Sequence, residues 1–500
     1  VNVSAFGGNQ STYGGEGVVS ALYNNFSFSL GAFSYNSDGW RENNDLDQKL
    51  VNAYAQWAVT PELNIQLEYM RQETDQGDLA FNFDPDAFSP NRRLEFDRDT
   101  VRLGLRYSPT EASTYLLSYI YSMRDELRSE SEEFIDPDLF IPFSSSFNSD
   151  LETEGSLLEG QYIYQAQRFN LILGGAYSNP ETTGNETFTV SSPIFPFPLT
   201  SSETIDEEIE QPRLYAYSNI NMTDDLIWTV GASYDDFKDE PIEENSFNPK
   251  LGVRWKINNS YQLRAAAFKV LKPSLINNRT IEPTQVAGFN QFFDDAAGTE
   301  SWRYGAALDA KLSQQLSWGA EISWRDLEVP SLEALPTGSA VTGTIDQDEQ
   351  LHRLYLYWTP SDRIAVTAEA VYDRFKEPSA FQDDFRPVPA EVTTLSLPLG
   401  VNYFHPSGFF AGVVGTYVDQ EVKRSEDSLF ARGDDDFFLV DAAVGYRFPK
   451  RRGMATLAVK NLFDTEFYYQ DNSFREFSED ATTGPYFPEL TLMGRVTLNF

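Results

Sequence analysis

Residue types that do chemistry are scarce in this chain. Among 500 residues there is no cysteine, and the two histidines are His352 and His405. The absence of cysteine removes disulfides, thiolate nucleophiles and cysteine-ligated zinc together. Two imidazoles are too few for a multi-histidine metal or haem site. A histidine-activated nucleophile has only these two to draw on. His405 sits in a turn beside Pro406, and His352 opens a strand near the outer rim, in register with the apolar Leu354 and Leu356. Neither a Gly-x-Ser-x-Gly elbow nor a P-loop occurs. The acidic runs Asp434-Asp435-Asp436 and Glu426-Asp427 offer the oxygen ligands that calcium takes, without the EF-hand spacing. They read as solvated outer-loop charge that repels anions. With 76 acidic residues in the chain, a pair of carboxylates at catalytic spacing carries no information. The sequence therefore assigns no catalytic, cofactor or metal residue and reads as a non-enzyme. Its net charge of −38 argues against nucleic acid as a partner, because nothing offsets phosphate repulsion.

What remains is charge at alternate positions. Glu68, Arg102, Arg106, Glu159, Arg264, Arg303, Asp309, Glu321, Arg325, Arg353, Glu369 and Arg495 fall on the polar face of alternating runs. In residues 363–373, Ile364, Val366, Ala368, Ala370 and Tyr372 oppose Ala365, Thr367, Glu369 and Asp373. In 315–325, Leu316, Trp318, Ala320, Ile322 and Trp324 oppose Ser317, Gly319, Glu321, Ser323 and Arg325. In 302–312, Trp302, Tyr304, Ala306 and Leu308 oppose Arg303, Gly305, Ala307, Asp309 and Lys311. Period two means strands with one apolar and one polar face. No segment carries a 3.6-residue stripe. Short connections (Asn24-Asn25, Thr60-Pro61-Glu62, Asn258-Asn259, His405-Pro406-Ser407) alternate with long ones over 75–97, 125–152, 180–211, 271–300, 327–347, 375–390, 422–436 and 462–487. Runs of about ten residues add up to about 22 strands.

The apolar face needs a home. Mean hydropathy is −0.42 and no stretch approaches eighteen apolar residues, so helical membrane spans are excluded. A β-barrel is not, because its alternate faces cancel in the average. A soluble sandwich would need Greek-key crossovers rather than hairpins throughout, and a propeller would need a blade repeat that is not there. A closed barrel of this size cannot fill its lumen with strand side chains, so the polar face meets water or a plug and the apolar face meets lipid. The reading is all-β: a transmembrane up-and-down antiparallel barrel, with short periplasmic turns, long extracellular loops and both termini on the periplasmic side. Trp57, Tyr107, Trp228, Trp255, Trp358 and Tyr446 lie near strand ends, where interfacial girdles sit.

The last strand alternates Leu490, Leu492, Gly494, Val496, Leu498 and Phe500 against Thr491, Arg495, Thr497 and Asn499. A terminal Phe500 after Leu492, Val496 and Leu498 resembles the signal that outer-membrane barrels present to their assembly machinery. Three further stretches resemble the barrel of TonB-dependent receptors: Ser37-Asp38-Gly39-Trp40-Arg41-Glu42-Asn43-Asn44 with Asp45-Leu46-Asp47-Gln48-Lys49; Asn248-Pro249-Lys250-Leu251-Gly252-Val253 with Leu263-Arg264-Ala265-Ala266-Ala267-Phe268 and Lys272-Pro273-Ser274; and Val459-Lys460-Asn461-Leu462-Phe463-Asp464. The resemblance implies energised uptake of a scarce nutrient through the outer membrane of a Gram-negative bacterium, with an inner-membrane energy-coupling protein as partner. The chain departs from that family in starting a strand at Val1, which leaves a single barrel domain over 1–500 with no plug and no signal peptide. Residues Ile281 to Asp295 are unlike an ordinary receptor loop. They are similar to barrels that end long tetratricopeptide-repeat proteins, which implies as the alternative a plugless export or anchoring barrel on a periplasmic scaffold.

Two features stay open on sequence alone. The inward charges either tune solute selectivity or hold a plug, or they pair across neighbouring strands. The aromatics Phe81, Phe83, Phe88, Phe140, Phe143, Phe195 and Phe197 either grip a ligand at the pore mouth or pack together as a lid. The expected surroundings are outer-membrane lipid and lipopolysaccharide, and the solute is unidentified.

Overall fold

The computed structural model describes residues 1–81, 83–86, 88–135, 141–334, 340–381, 389–424, 433–472 and 484–500. Its strands are β1 (Asn2–Gly8), β2 (Tyr13–Tyr23), β3 (Phe26–Ser37), β4 (Leu46–Ala58), β5 (Leu63–Gln76), β6 (Arg93–Thr110), β7 (Ser113–Ile135) and β8 (Pro142–Gln165). Next come β9 (Asn170–Ser178, resuming as Glu181–Ser191), β10 (Leu199–Thr223), β11 (Leu226–Asp239), β12 (Ile242–Lys256), β13 (Tyr261–Leu271), β14 (Glu300–Lys311) and β15 (Leu316–Ala334). The remainder are β16 (Ala340–Ser361), β17 (Ile364–Lys376), β18 (Glu391–Phe404), β19 (Phe409–Lys423), β20 (Gly433–Arg447), β21 (Gly453–Lys460) and β22 (Thr491–Asn499). The two parts of β9 lie end to end between the same neighbours, β8 and β10, so the 23 hydrogen-bonded segments make 22 strands.

Each strand pairs antiparallel with the next, and β1 pairs with β22 from Asn2↔Asn499 to Gly8↔Met493. That pairing closes the sheet and leaves no edge. The closure continues past the ladder, where the Phe500 amide donates to the Val1 carbonyl at 2.9 Å. Backbone donors and acceptors in lipid have no water to turn to, so full pairing is a requirement there. Leu67, Leu103, Leu117, Leu158, Leu173 and Leu251 stand exposed on the outer face, which is the lipid band. At the short-turn rim Trp57, Tyr107, Trp255, Trp358 and Tyr446 are exposed and Trp228 is half-buried. Towards the long-loop rim the outward tyrosines Tyr69 and Tyr121 donate to Asp99 and Glu154, each at 2.6 Å. Rings in the lipid boundary with hydroxyls aimed at charge suit the membrane interface.

The structure corrects two expectations. Most of 125–152, 180–211 and 327–347 is strand rather than loop: β7–β8, the second part of β9 with β10, and β15–β16 extend as long hairpins. Beyond the membrane both faces of a hairpin meet water, so alternation fades from the sequence while the ladder continues. Side-chain pairs such as Thr153 with Thr182 at 3.0 Å and Ser144 with Ser191 at 2.7 Å join neighbouring strands there. His352 does not open a strand. It lies well inside β16 on the outward face, stacked on Tyr372 at 5.6 Å and edge-on to Trp324 at 5.2 Å.

Leu103→Arg puts a charge on the lipid face and should cost about 2–4 kcal/mol near the bilayer middle. Gln66→Arg, on the inward face of neighbouring β5, should cost far less; reversible unfolding in lipid vesicles measures the difference.

Candidate functional site: a strap across the lumen

The 28-residue connection from β13 to β14, residues 272–299, turns inward. Its ends are tied together, the Lys272 amide donating to the Thr299 carbonyl at 2.8 Å and the Gly298 amide to the Lys272 carbonyl at 3.0 Å. From there it runs inside the lumen towards the earlier strands. The Ser274 amide donates to Gln211 of β10 at 2.7 Å, and Ser178 of β9 donates to the Ser274 carbonyl at 2.6 Å. Ile276 seats against Ile120 of β7 and Leu157 of β8. Asn277 donates to Thr100 of β6 at 2.7 Å, and Arg279 pairs with Glu68 of β5 at 2.9 Å.

The chain then returns along the wall. Glu159 of β8, almost fully buried, accepts from the Thr280 hydroxyl at 2.9 Å, the Ile281 amide at 2.8 Å and the Tyr215 hydroxyl at 3.0 Å. Glu282 pairs with Arg213 of β10 at 3.2 Å and accepts from Tyr217. Asp235 of β11 lies 3.9 Å from the same arginine. A two-residue hairpin, Gln285–Val286 against Phe289–Asn290, turns at Ala287 and Gly288, both at positive φ. Arg303 of β14 donates to the Asn290 carbonyl at 2.9 Å, and Arg325 of β15 pairs with Asp295. Attachments thus run from β5 round to β15. A single segment can touch so many consecutive strands only as a chord inside the barrel.

The wall is shaped to receive it. Phe289 of the strap is buried with Ala266, Phe268, Val270 and Ala307. A Cβ on Gly305 would come within 2.4 Å of the Phe289 ring, and one on Gly252 within 2.7 Å of the Ala287 Cβ; these glycines let the strap lie against the sheet. Wall arginines lie over strap rings: Arg264 over Phe289 at 5.4 Å, Arg303 over Phe293 at 4.8 Å and Arg325 over Phe293 at 4.0 Å. Desolvated guanidinium–ring contacts of this kind are worth up to about 2 kcal/mol.

The residues singled out from sequence fall on the inward face, and the structure divides them into two groups. Glu68, Glu159, Arg264, Arg303 and Arg325 touch the strap. Arg264 also holds Asp309 at 2.7 Å and Glu321 at 3.1 Å, while Tyr355 donates to Asp309 at 2.5 Å. Arg102 approaches Glu68 at 3.5 Å. Away from the strap, Arg353 pairs with Glu369 at 2.9 Å and Arg495 with Glu16 at 2.6 Å. Arg106 is exposed, on the same face of β6 as Arg102 and nearer the short turns. Sequence reasoning did not select Arg213, Tyr217, Asp235 or Glu282. The available signal was the coincidence of buried-type charges on adjacent strands with an acid in a long connection.

A second cluster stands at the long-loop rim. Phe81 is buried edge-on to Trp40 at 5.4 Å and to Phe467 at 5.7 Å, with Tyr469 and Tyr486 packed alongside. Burial raises the hydroxyl pKa of both tyrosines. Arg41 lies over Trp40 and Phe88 and pairs with Asp78 at 3.5 Å; burial lowers its pKa more than Asp78 restores it. Phe83 stacks on Tyr468 at 5.1 Å and Phe143 meets Phe195 at 5.9 Å, whereas Phe197 stands exposed. Asp435 accepts from the Tyr468 amide at 2.7 Å. Phe140 and Glu426-Asp427 lie outside the described residues.

A closed 22-strand barrel with an apolar belt and a polar, internally strapped lumen defines an outer-membrane transport barrel. Comparison with known proteins agrees. Residues 12–325 match the family described as TonB dependent receptor-like, beta-barrel, and the chain belongs to this family of Gram-negative outer-membrane proteins. The match contains the first two of the resembling stretches; the third, at 459–464, lies beyond it. No curated protein matches the sequence. Among solved structures, the chain is similar over its whole length to Pseudomonas aeruginosa FpvA bound to a heterologous pyoverdine, at 15% identity, TM-score 0.72 and 71% coverage of that chain. It is likewise similar to the ferric citrate transporter FecA (14%, 0.71, 78% of that chain) and to the siderophore receptor PiuA of Acinetobacter baumannii (12%, 0.72, 81%). These structures share the fold, and the family match, to receptor barrels, favours import over the scaffold-linked export alternative.

Glu282→Ala leaves Arg213 buried without its closest counter-charge, a change that typically costs about 3–5 kcal/mol. The strap should then open locally and trypsin should cut after Arg279 at least about a hundredfold faster than in the wild type, as followed by mass spectrometry of the detergent-solubilised barrel.

Proposed function

We propose that the chain imports a solute across the outer membrane along the lumen wall that faces the strap, without covalent chemistry. The observation that carries this reading is the strap's course: its attachments run from β5 to β15, on one side of the barrel. The opposite wall, from β16 through β22 and β1 to β4, offers the solute hydrogen-bonding groups such as Tyr54, Gln56 and Asn402. Its charges include the pairs Arg353 with Glu369, Arg495 with Glu16 and Lys460 with Asp441, and Arg447, which lies over Phe404 and Phe410. Paired charges and amides contact a hydrated solute without trapping it. The remaining inward residues, Glu68, Arg102, Arg264, Arg303, Asp309, Glu321 and Arg325, hold the strap or one another, and Arg106 faces the exit towards the periplasm. Loop aromatics serve chiefly as packing at the mouth, with Phe197 free to meet a ligand. Energy for uptake comes from an inner-membrane coupling protein, as in the family, and lipid and lipopolysaccharide surround the barrel.

The route is tested in planar bilayers with Tyr54→Cys, Asn402→Cys and Phe268→Cys in this cysteine-free chain. A charged, membrane-impermeant thiol reagent should label the first two and lower the potassium current, and should leave Phe268→Cys, covered by Phe289, untouched. Equal labelling of all three, or labelling of the first two without loss of current, would sink the route.

The same reading gives Leu492, Val496, Leu498 and Phe500 to the barrel-assembly machinery. Phe500 is 82% exposed, so its ring contributes little to packing. Deleting it should reduce the barrel recovered from outer membranes several-fold while leaving refolding in detergent unchanged; equal loss in both would make Phe500 a stability residue.

A further inference from the structure

Past the membrane the barrel wall does not end evenly. β7, β8, the second part of β9 and the first part of β10 continue outward as one antiparallel sheet, paired from Ile135↔Pro142 through Ser191↔Ser144 to Val190↔Leu199. On the other side of β10, pairing with β11 begins at Ile209. Residues 199–208 therefore have a strand neighbour on one side alone among the described residues.

The hydrogen bonds identify the groups left over. The Ile209 amide donates to the Pro180 carbonyl at 2.9 Å, and bonded positions alternate along an antiparallel ladder. Ser201, Glu203, Ile205 and Glu207 thus bond to β9, while the amides and carbonyls of Thr200, Ser202, Thr204, Asp206 and Glu208 point to the open side. The side chains agree, since they approach closest at the non-bonded positions. Thr200 meets Thr189 at 3.1 Å, Ser202 meets Thr187 at 3.3 Å and Thr204 donates to Asn185 at 3.3 Å. The register runs without a shift from Val190↔Leu199 to Glu181↔Glu208, and residues 199–208 contain no proline. The edge is a regular template about 33 Å long, held extended before anything binds.

Proteins blunt an exposed edge of this length with a bulge, a proline or charge. Of these β10 carries charge. Glu203, Asp206, Glu207 and Glu208 stand exposed on its two faces, and no Lys or Arg occurs between Arg128 and Arg168 or between Arg168 and Arg213. Two copies meeting edge to edge would bring these acids together, which disfavours the pairing. A strand carrying lysine or arginine would meet them as counter-charges.

We propose that residues 199–208 are a docking edge for an extended basic segment of a partner protein outside the cell, which joins the sheet as a further strand. Backbone bonds to Thr200, Ser202, Thr204, Asp206 and Glu208 supply the affinity. The acids supply the selectivity, calling for Lys or Arg opposite 203–208, while the hydroxyls of Thr200 and Ser202 accept uncharged residues.

The probe is a dye-labelled peptide matching the edge in length, with lysine and valine alternating. It is titrated against the full chain in zwitterionic nanodiscs by fluorescence anisotropy. Wild type should bind it saturably, and Glu203→Gln/Asp206→Asn/Glu207→Gln/Glu208→Gln should weaken binding at least about tenfold. Thr204→Pro removes an open-side amide and spares the β9 ladder; it should weaken binding at least about tenfold as well. Thr204→Val, which loses the hydroxyl alone, should bind as wild type does. A peptide with the same side chains and every amide N-methylated keeps its charge and should not bind. Heat-modifiable migration shows whether Thr204→Pro is folded, and the N-methylated peptide on wild type decides the question if it is not. Equal binding of the two peptides would overturn the proposal, because charge alone would then be the attraction. No binding of the lysine–valine peptide to wild type would overturn it too, leaving the acids as a guard. So would wild-type dimers that Thr204→Pro breaks, since the occupant would then be a second copy.

Discussion

Closure of the sheet is the constraint on which the rest of the molecule depends. In hydrocarbon an unpaired amide or carbonyl costs several kcal/mol, so the first and last strands must meet. They do so through seven paired positions, from Asn2↔Asn499 to Gly8↔Met493. Once the register at that seam is set, every side chain is committed to lipid or lumen, because a slip by one residue would exchange the two faces. Ser4 illustrates the commitment: it is buried and bonded to Thr497 at 2.8 Å across the seam, while its neighbour Val3 faces outward.

Closure at this strand number creates the next problem, a lumen too wide for wall side chains to fill. The strap answers it with the wall's own chemistry. Where the wall is charged, the strap brings a counter-charge: Glu282 to Arg213, Asp295 to Arg325, Arg279 to Glu68. Where the wall is apolar, the strap brings Ile276 or Phe289. A buried ion pair is weak evidence of net stability, since desolvation offsets most of the attraction. Its value here is in register, because each pair fixes one point of the strap against one point of the wall. The apolar seats supply the driving force and the ion pairs decide the place.

Legibility followed periodicity. Runs such as 315–325 and 363–373 announced strands and their faces, since lipid on one side and polar lumen on the other impose strict alternation. The hairpin extensions of β7–β8 and β15–β16 lose that signal where both faces meet water, so alternation alone marks them as loops although their ladders continue. Among the charges, Arg264, Asp309 and Glu321 were recognisable as inward, but their assembly into one network was not, because they come from three strands. Arg213 and Glu282 went unselected: they are 69 positions apart, and nothing local to either marks the other.

The sequence by itself determined the barrel: strand number, up-and-down order, the two faces and the resemblance to a family all reside in local alternation and short motifs. Tertiary structure alone decided where residues 272–299 go. A connection rich in Asn, Thr, Phe and acids is equally compatible with solvent and with a polar lumen. The choice between them depends on inward apolar seats, glycines and arginines spread over β5 to β15, which come together only when the sheet closes.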